Sequence, residues 1–395
     1  MIVRRFLQWV RTAAPGDRAE ATGALARAYL YSDFSEHDRK AAQAALTLML
    51  DDRAPVVRRA LAEALGRSAD APHDIILALA HDAADIAAIV AERSPVLLEI
   101  ELIEIVRAGR PGLRAAVAAR PWVPESVSAV IIEVADAEVC RVLIENEGAD
   151  IGEAALERLI ARHGHVGTIR EILLARPDLT PRLRQSLVAK TAGALAVFVS
   201  ERAWLEPAAA ARVAREACER TTVTIARSAE GDEALELVRH LRATEQLTAG
   251  LLLRALLGGN RALFEAALAE LSGFRLSRVA AILDDRSFAT FTPLYLKAGL
   301  PASAEPLFRA VLAALHEVGT AHDPLAAAQL HRRMVERVLT HYRGNDPRQL
   351  DSYFALLRRY AAEAAREEAR AFTADLQDAD LEEADLQDAD LEEAA

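Results

Sequence analysis

His163 and His165 stand two residues apart in the string RHGHVGTIRE. Two imidazoles could supply half of a zinc shell, but such a site needs three or four protein ligands and a second shell to orient them. No third donor follows at ligand spacing. Gly164 between the two reads as a helix stop, where a histidine also suits the helix dipole. His316, Glu317 and His322 carry the residue types of a zinc protease. The required HExxH places its histidines on one helix face, and here Thr320 occupies the second histidine position. Gly258, Gly259 and Asn260 form a glycine-rich entry to a helix without the Lys-Ser/Thr or the preceding strand of a phosphate loop. They read as a helix stop followed by an asparagine cap. No GxSxG elbow and no Cys/His dyad occurs, and Ser94 and Ser126 have no neighbouring base. The expectation is no catalytic residue, no metal site and no cofactor.

Arginine is the remaining residue with chemical reach. Lysine occurs only at Lys40, Lys190 and Lys297, a skew that GC-rich codon usage explains. A guanidinium is a fixed fork of donors suited to carboxylates, phosphates and carbonyls. Arg58, Arg114, Arg141 and Arg170 each follow an apolar residue: Val57, Leu113, Cys140 and Ile169. Their equivalent places predict a structural ladder, each pairing with a carboxylate or carbonyl of a neighbouring unit. Arg67, Arg93, Arg120 and Arg176 form a second series, with Glu147 filling the slot between the last two. These are expected to be more exposed and are the candidate partner-binding residues.

The elements that must carry them are repeated. AARPWVPESVSAVI at 118–131 and LARPDLTPRLRQSL at 174–187 share one phrase: a small residue, Arg, Pro, then an apolar-periodic run. Aligned on the arginine, the phrases recur at steps of about 26–29 residues, the range of stacked helical units. Each unit reads as a short helix, a proline-bearing corner and a second helix. Proline fixes φ and suits the first turn of a helix, but breaks a helix interior. Such a pair cannot bury its apolar face alone, so units must lean on one another. DDRAPVVRRALAEALG, with Asp52, Val57 and Arg58, resembles a HEAT repeat, and the corners resemble leucine-rich-variant repeats. The resulting expectation is an all-α chain: an α-solenoid of HEAT-like short helical hairpins over 1–190. An irregular helical continuation follows over 191–345, then a terminal capping helix over 346–373. In that helix Asn345 or Asp346 is the cap, and Tyr353, Leu356, Leu357 and Tyr360 share one face. TTVTIA at 221–226 is the only strand-like island, more in keeping with a helix segment or an extended linker.

Apolar residues make up 52% of the chain but aromatics only 5%. That suits closely packed alanine-rich helices better than a large sheet. The net charge is −12, yet ten acidic residues and no basic one fall in 374–395. The body is thus close to neutral, which argues against a dedicated nucleic-acid binder. The tail has leucine every fifth residue, at Leu376, Leu381, Leu386 and Leu391, and resembles the pentapeptide-repeat pattern A-D-L-x-x. It is too short to stack coils, and its dense like charge predicts a disordered acidic tail. Cys140 and Cys218 are far apart and imply neither a disulfide framework nor a zinc site. The N-terminal apolar stretch, Phe6 to Val10, is too short for a signal peptide or a span. A cytoplasmic protein is the expectation.

RFLQWVRTAAPGDRAEATGALARAYLYSDFSEHDRKAA, DDRAPVVRRALAEAL, ARPWVPESV, LTAGLLLRALLGGNRALFEAALAELSG and FTPLYLKAGLPASAEPLF together resemble the DUF2336 family of uncharacterised alphaproteobacterial proteins, over about Arg4 to Glu317. The resemblance implies an all-helical, HEAT-like protein and carries no activity or catalytic residue. The functional expectation is a non-catalytic scaffold that holds a protein partner. The alternative is a nucleic-acid-binding or DNA-repair protein, like DNA glycosylases of the AlkD type, which also use HEAT-like arrays.

Overall fold

The computed structural model describes residues 2–229, 231–318, 333–338, 357–366, 369–370 and 372–373. The chain is all-α: among the described residues there is no strand, only one isolated bridge between Val123 and Ala149. It divides into two compact units, Met1–Leu179 and Thr180–Ala395.

The first unit holds α1 (Ile2–Trp9), α2 (Pro15–Tyr31), α3 (Glu36–Met49), α4 (Pro55–Leu65), α5 (His73–Ala80), α6 (Ala84–Arg93), α7 (Glu99–Arg107), α8 (Pro111–Ala118), α9 (Glu125–Val134), α10 (Ala137–Glu145), α11 (Glu153–His163) and α12 (Gly167–Ala175). Local sequence sets their ends. Pro15, Pro55 and Pro111 occupy first-turn positions, where no backbone N–H is required. Pro72 and Pro124 stand immediately before α5 and α9. Asp136 caps α10 by accepting the Val139 N–H at 3.0 Å.

Packing follows alternation. α2, α4, α6, α8, α10 and α12 each lie on the next in that order, and α7, α9 and α11 do the same. Apolar residues at helical spacing face inward. Val57, Leu61 and Leu65 of α4 are fully buried, as are Ile86 and Val90 of α6. Cys140 and Leu143 continue the pattern in α10. Each helix is short, at 8–11 residues from α4 onward. Helices of that length are marginal in isolation, so the stack stabilises them.

The second unit opens with two long helices, α13 (Pro181–Glu201) and α14 (Pro207–Ile225), packed along one another. It continues through α15 (Asp232–Ala243), α16 (Ala249–Leu257), α17 (Arg261–Ser272), α18 (Leu276–Asp284), α19 (Phe291–Lys297), a 3-10 turn at Ala302–Ala304 and α20 (Glu305–Val318). Residues 333–338 and 357–366 are also helical. Asn260 caps α17 by accepting the Leu263 N–H at 3.1 Å, and Gly273 ends it in the left-handed region at φ 73°. The core is one aromatic-centred cluster in which Phe264 stacks on Phe308 and Tyr295 leans on Phe308, with centroids 5.6 and 5.3 Å apart.

Three of the sequence readings can be set beside the helices. The first unit ends at Leu179, inside the expected repeat span of 1–190, because Pro181 starts a 21-residue helix belonging to the second. The strand-like string at 221–226 is a helix segment, the first of the two readings given for it: α14 runs to Ile225, and burial of Thr222 and Val223 outweighs β propensity. Leu357 and Tyr360 are buried on the expected terminal helix, while Asn345, Asp346, Tyr353, Leu356, His322 and the acidic tail lie outside the described residues.

Candidate functional site

The ladder arginines begin as forks between hairpins. Arg58 of α4 grips Asp82, beyond α5, with Nε and Nη2 at 2.6 and 2.9 Å, and donates Nη1 to the Asp52 carbonyl at 2.5 Å. An earlier rung went unread in the sequence: Arg18 of α2 grips Asp52 at 2.8 and 2.7 Å and donates to the Ala13 carbonyl at 2.9 Å. Both carboxyls are held below the usual carboxylate range, chiefly by these guanidinium hydrogen bonds. Arg114 instead donates to carbonyls, those of Val106 and Val134, at 2.8 and 3.1 Å, at the ends of α7 and α9. Arg162 at the end of α11 likewise donates to the carbonyls of Ile132 and Ala135.

Arg141 and Arg170 depart from the expected pattern. Arg141 pairs with Glu138 and Glu145 on its own helix, one turn away on each side. Those partners lie within reach at i−3 and i+4, so the side chain need not leave α10. Arg170 donates to the His165 carbonyl just before its own helix, at 3.3 Å.

The corner series also splits. Arg67 and Arg93 are exposed, and Arg93 pairs with the adjacent Glu92, at 3.3 Å. Arg176 forks onto Asp178 in the same corner, at 2.9 and 2.7 Å. Arg120, expected at an exposed edge, is only 7% exposed and is not available to a partner. It reaches into the preceding corner and donates to the carbonyls of Ala91 and Ser94 at 2.6 and 2.7 Å. These are carbonyls at the end of α6, where a helix leaves acceptors without intrahelical donors. Asn146 repeats the act one unit later, donating to the carbonyls of Ala118 and Arg120 at 2.9 and 2.7 Å. The slot assigned to Glu147 is therefore filled by Asn146. Ser68, Ser94 and Asn146 also share a local turn, each side-chain oxygen accepting the N–H two residues on, at 3.1, 3.3 and 2.9 Å. The 26-residue interval between Ser68, Ser94, Arg120 and Asn146 was the signal available in the sequence. Gly148 completes the contact. Its carbonyl accepts the Val123 N–H at 3.0 Å, and a Cβ there would lie 2.0 Å from the Pro121 carbonyl oxygen.

What faces outward at these corners is apolar and acidic. Trp122 is 62% exposed, and Leu98 and Ile100 are exposed at the start of α7. Asp74, Glu99 and Glu125 lie in the first turns of α5, α7 and α9, where the helix dipole favours them. Ser126 donates to Glu99 at 2.7 Å, joining the starts of α9 and α7.

In the second unit a groove of about 330 Å³ lies between the α13–α14 pair and α15–α16: Ala192, Gly193, Ala196, Ala211 and Ala214 wall one side, and Leu241, Gln246, Thr248 and Leu251 the other. Its floor is polar. Gln246 lines it and accepts at 2.7 Å from Gln185, which is fully buried and whose own Oε1 has no partner among the described residues. Glu219 accepts from Thr248 at 3.2 Å, and burial raises its carboxyl pKa. Below it, Arg254 sits among Leu251–Leu257, every one buried. It pairs with Glu363 and lies 4.0 Å from the centroid of Tyr360, whose hydroxyl donates to the Gly250 carbonyl at 3.2 Å. Burial pushes the Tyr360 phenol up to about 12. An arginine inside LLLRALL was a readable signal, since a guanidinium in an apolar run must find a charge partner.

Cys140 and Cys218 are free and buried, with the Cys140 thiol pushed up to about 11 by burial, far from a reactive thiolate. His163 closes α11, and burial lowers its pKa. Among the described residues no group of three or more His, Cys, Asp or Glu is placed to hold a metal ion, and no helix is long and apolar enough to cross a membrane.

Two family models match the chain. One, described as "Uncharacterised protein conserved in bacteria (DUF2336)", covers residues 86–348; it starts later than the resemblance read from the sequence and reaches further. The other, pentapeptide repeats, covers residues 374–395. No curated protein and no solved structure matches the chain.

Proposed function

From the premise that the chain belongs to the DUF2336 family, we propose that it is a non-catalytic protein-interaction scaffold whose first unit is a HEAT-like α-solenoid. The observation that carries this reading is the corner edge of that unit. Trp122, Leu98 and Ile100 are exposed there beside the acidic first turns of α7 and α9. Exposed aromatic and aliphatic side chains rimmed by polar ones mark association surfaces. The partner that fits is a protein segment with apolar side chains flanked by Lys or Arg. The inward arginines support the same reading, because Arg58, Arg114 and Arg120 spend their donors on the stack itself. Two free buried thiols accord with a reducing, cytoplasmic setting. The nucleic-acid alternative finds less support, since acidic first turns repel phosphate.

A photo-crosslinking residue at position 122 tests the proposal. We expect a protein adduct from 122 that Ile100→Glu abolishes, with the circular-dichroism melt unchanged. A salt-dependent gel shift with DNA or RNA, and no adduct, would overturn it.

A further inference from the structure

The groove between the α13–α14 pair and α15–α16 is kept open by residues too small to fill it. Gly193 stands near the middle of the 21-residue α13. A glycine inside a helix costs about 0.5–1 kcal/mol against alanine. Packing does not require it, because a Cβ at 193 would meet nothing within 4 Å. The missing side chain leaves space in the groove, which alanines of both helices line beside it and Leu241 and Leu251 close from the other side. An apolar cavity of about 150 Å³ holds a benzene molecule. About 330 Å³ therefore holds an aromatic ring and a short chain.

Most polar groups of the lining are taken up by one another. Thr222 donates to the Cys218 carbonyl at 2.8 Å. Thr248 donates to Glu219 and accepts the Leu251 N–H at 3.0 Å. Gln246 accepts from Gln185 and donates to Thr244 at 3.2 Å. Three charged groups remain on the lining: Arg215 and Glu245, both exposed, and Glu219, half-buried. None of the three has an ion-pair partner among the described residues. Arg254 and Arg215 favour the ionised form of Glu219 through space and Glu216 opposes it, but Arg254 is matched to Glu363 and Glu216 to Arg359. Burial outweighs them and raises the Glu219 pKa, as expected of a carboxyl on an apolar recess with no cation in contact. Glu245 adds a second negative charge. It holds φ 57° in the turn after α15, the left-handed place where glycine is usual, and the Gln246 N–H closes that turn on the Leu241 carbonyl at 2.8 Å. Two carboxylates against one guanidinium leave the groove short of a positive charge. A ligand carboxylate would be repelled there, whereas an ammonium on an apolar body suits both the charge and the walls.

We infer that this groove is a binding site for a small apolar amine, its ammonium on Glu219 and its ring or chain against Gly193 and the alanines. The site lies in the second unit and does not rest on the scaffold reading of the first.

Calorimetric titration of the full chain with three probes of similar shape tests it: phenethylamine, phenethyl alcohol and hydrocinnamate. The titrations are run at about pH 8, where an alkylamine is protonated as a lysine is. The amine is expected to bind with a Kd of about 1 mM or tighter, about tenfold or more tighter than the alcohol, and the acid not to bind. Gly193→Leu puts a side chain into the groove and is expected to abolish amine binding at unchanged helicity. Glu219→Gln is expected to keep the fold and to bind the amine no tighter than the alcohol. Wild-type protein that binds none of the probes, or all three alike, would overturn the inference. So would a folded Gly193→Leu that still binds the amine, or a Glu219→Gln that keeps the preference for it. These readouts leave the crosslink at position 122 an independent test of the scaffold proposal.

Discussion

The two units solve the problem of joining helices differently. In the first, short helices are tied by polar side chains that cross from one hairpin to the next: Arg18 to Asp52, Arg58 to Asp82, Arg120 to Ala91 and Ser94, Asn146 to Ala118 and Arg120. In the second, cohesion centres on Phe264, Tyr295 and Phe308, with one deep guanidinium, Arg254, matched to Glu363. A stack of similar hairpins fixes its register by directional contacts, since apolar burial alone permits sliding. A single irregular core fixes itself by shape. The contrast also bears on the proposed scaffold: arginines committed to the stack leave Trp122, Leu98 and Ile100 as the exposed side chains of the corners on which that proposal rests.

The largest test of the contrast is Phe308→Ala. It removes a fully buried ring touching two other aromatics and is expected to cost about 3–5 kcal/mol. Hydrogen exchange should show α16, α17, α19 and α20 losing protection together; loosening of α20 alone would break the idea of one shared core. Arg120→Met comes next, at about 1–3 kcal/mol, because it leaves the Ala91 and Ser94 carbonyls without their donor. Its loss of protection should centre on the ends of α6 and α8. Protection lost uniformly through the first unit would contradict local ties.

Acid sharpens the comparison further. Asp52 and Asp82 have lowered pKa values in the folded chain. As pH falls below about 4 the unfolded chain takes up protons first, so their stabilisation is present above that pH and is lost through the folded values. The first unit should therefore lose stability on the acid side, and Asp52→Asn with Asp82→Asn should flatten that limb in a pH series of urea melts. Glu219 has the opposite sign. Burial raises its folded pKa, so it favours folding at low pH and opposes it as pH rises through that value. Glu219→Gln, which can still accept from Thr248, is expected to gain below about 1 kcal/mol at neutral pH. A loss instead would show that ionised Glu219 is held by Arg254 or Arg215.

Much of this was legible in the sequence, for reasons that also mark where legibility ends. Proline and glycine placed the helix ends because their backbone constraints are local. The arginine at 58 stood out because Asp52 and the VVRRALAEAL run frame it. Register failed at the corners. Arg67, Arg93, Arg120 and Arg176 share a letter but not a place, whereas Ser94, Arg120 and Asn146 share a place through different chemistry. A carbonyl at a helix end accepts from a guanidinium or an amide alike, so identity is a poor guide there. The far end of α13 was unreadable for another reason: Leu195 and Phe198 have ordinary helical spacing, and only the fold shows that they are exposed.

The claim on which the rest depends is that the arginine forks hold hairpin to hairpin. A double-mutant cycle on Arg58 and Asp82, read by urea denaturation of Arg58→Met, Asp82→Asn and the pair, measures it directly. The account predicts a coupling above about 1 kcal/mol at neutral pH. A coupling below about 0.3 kcal/mol, the scatter of independent sites, would contradict it.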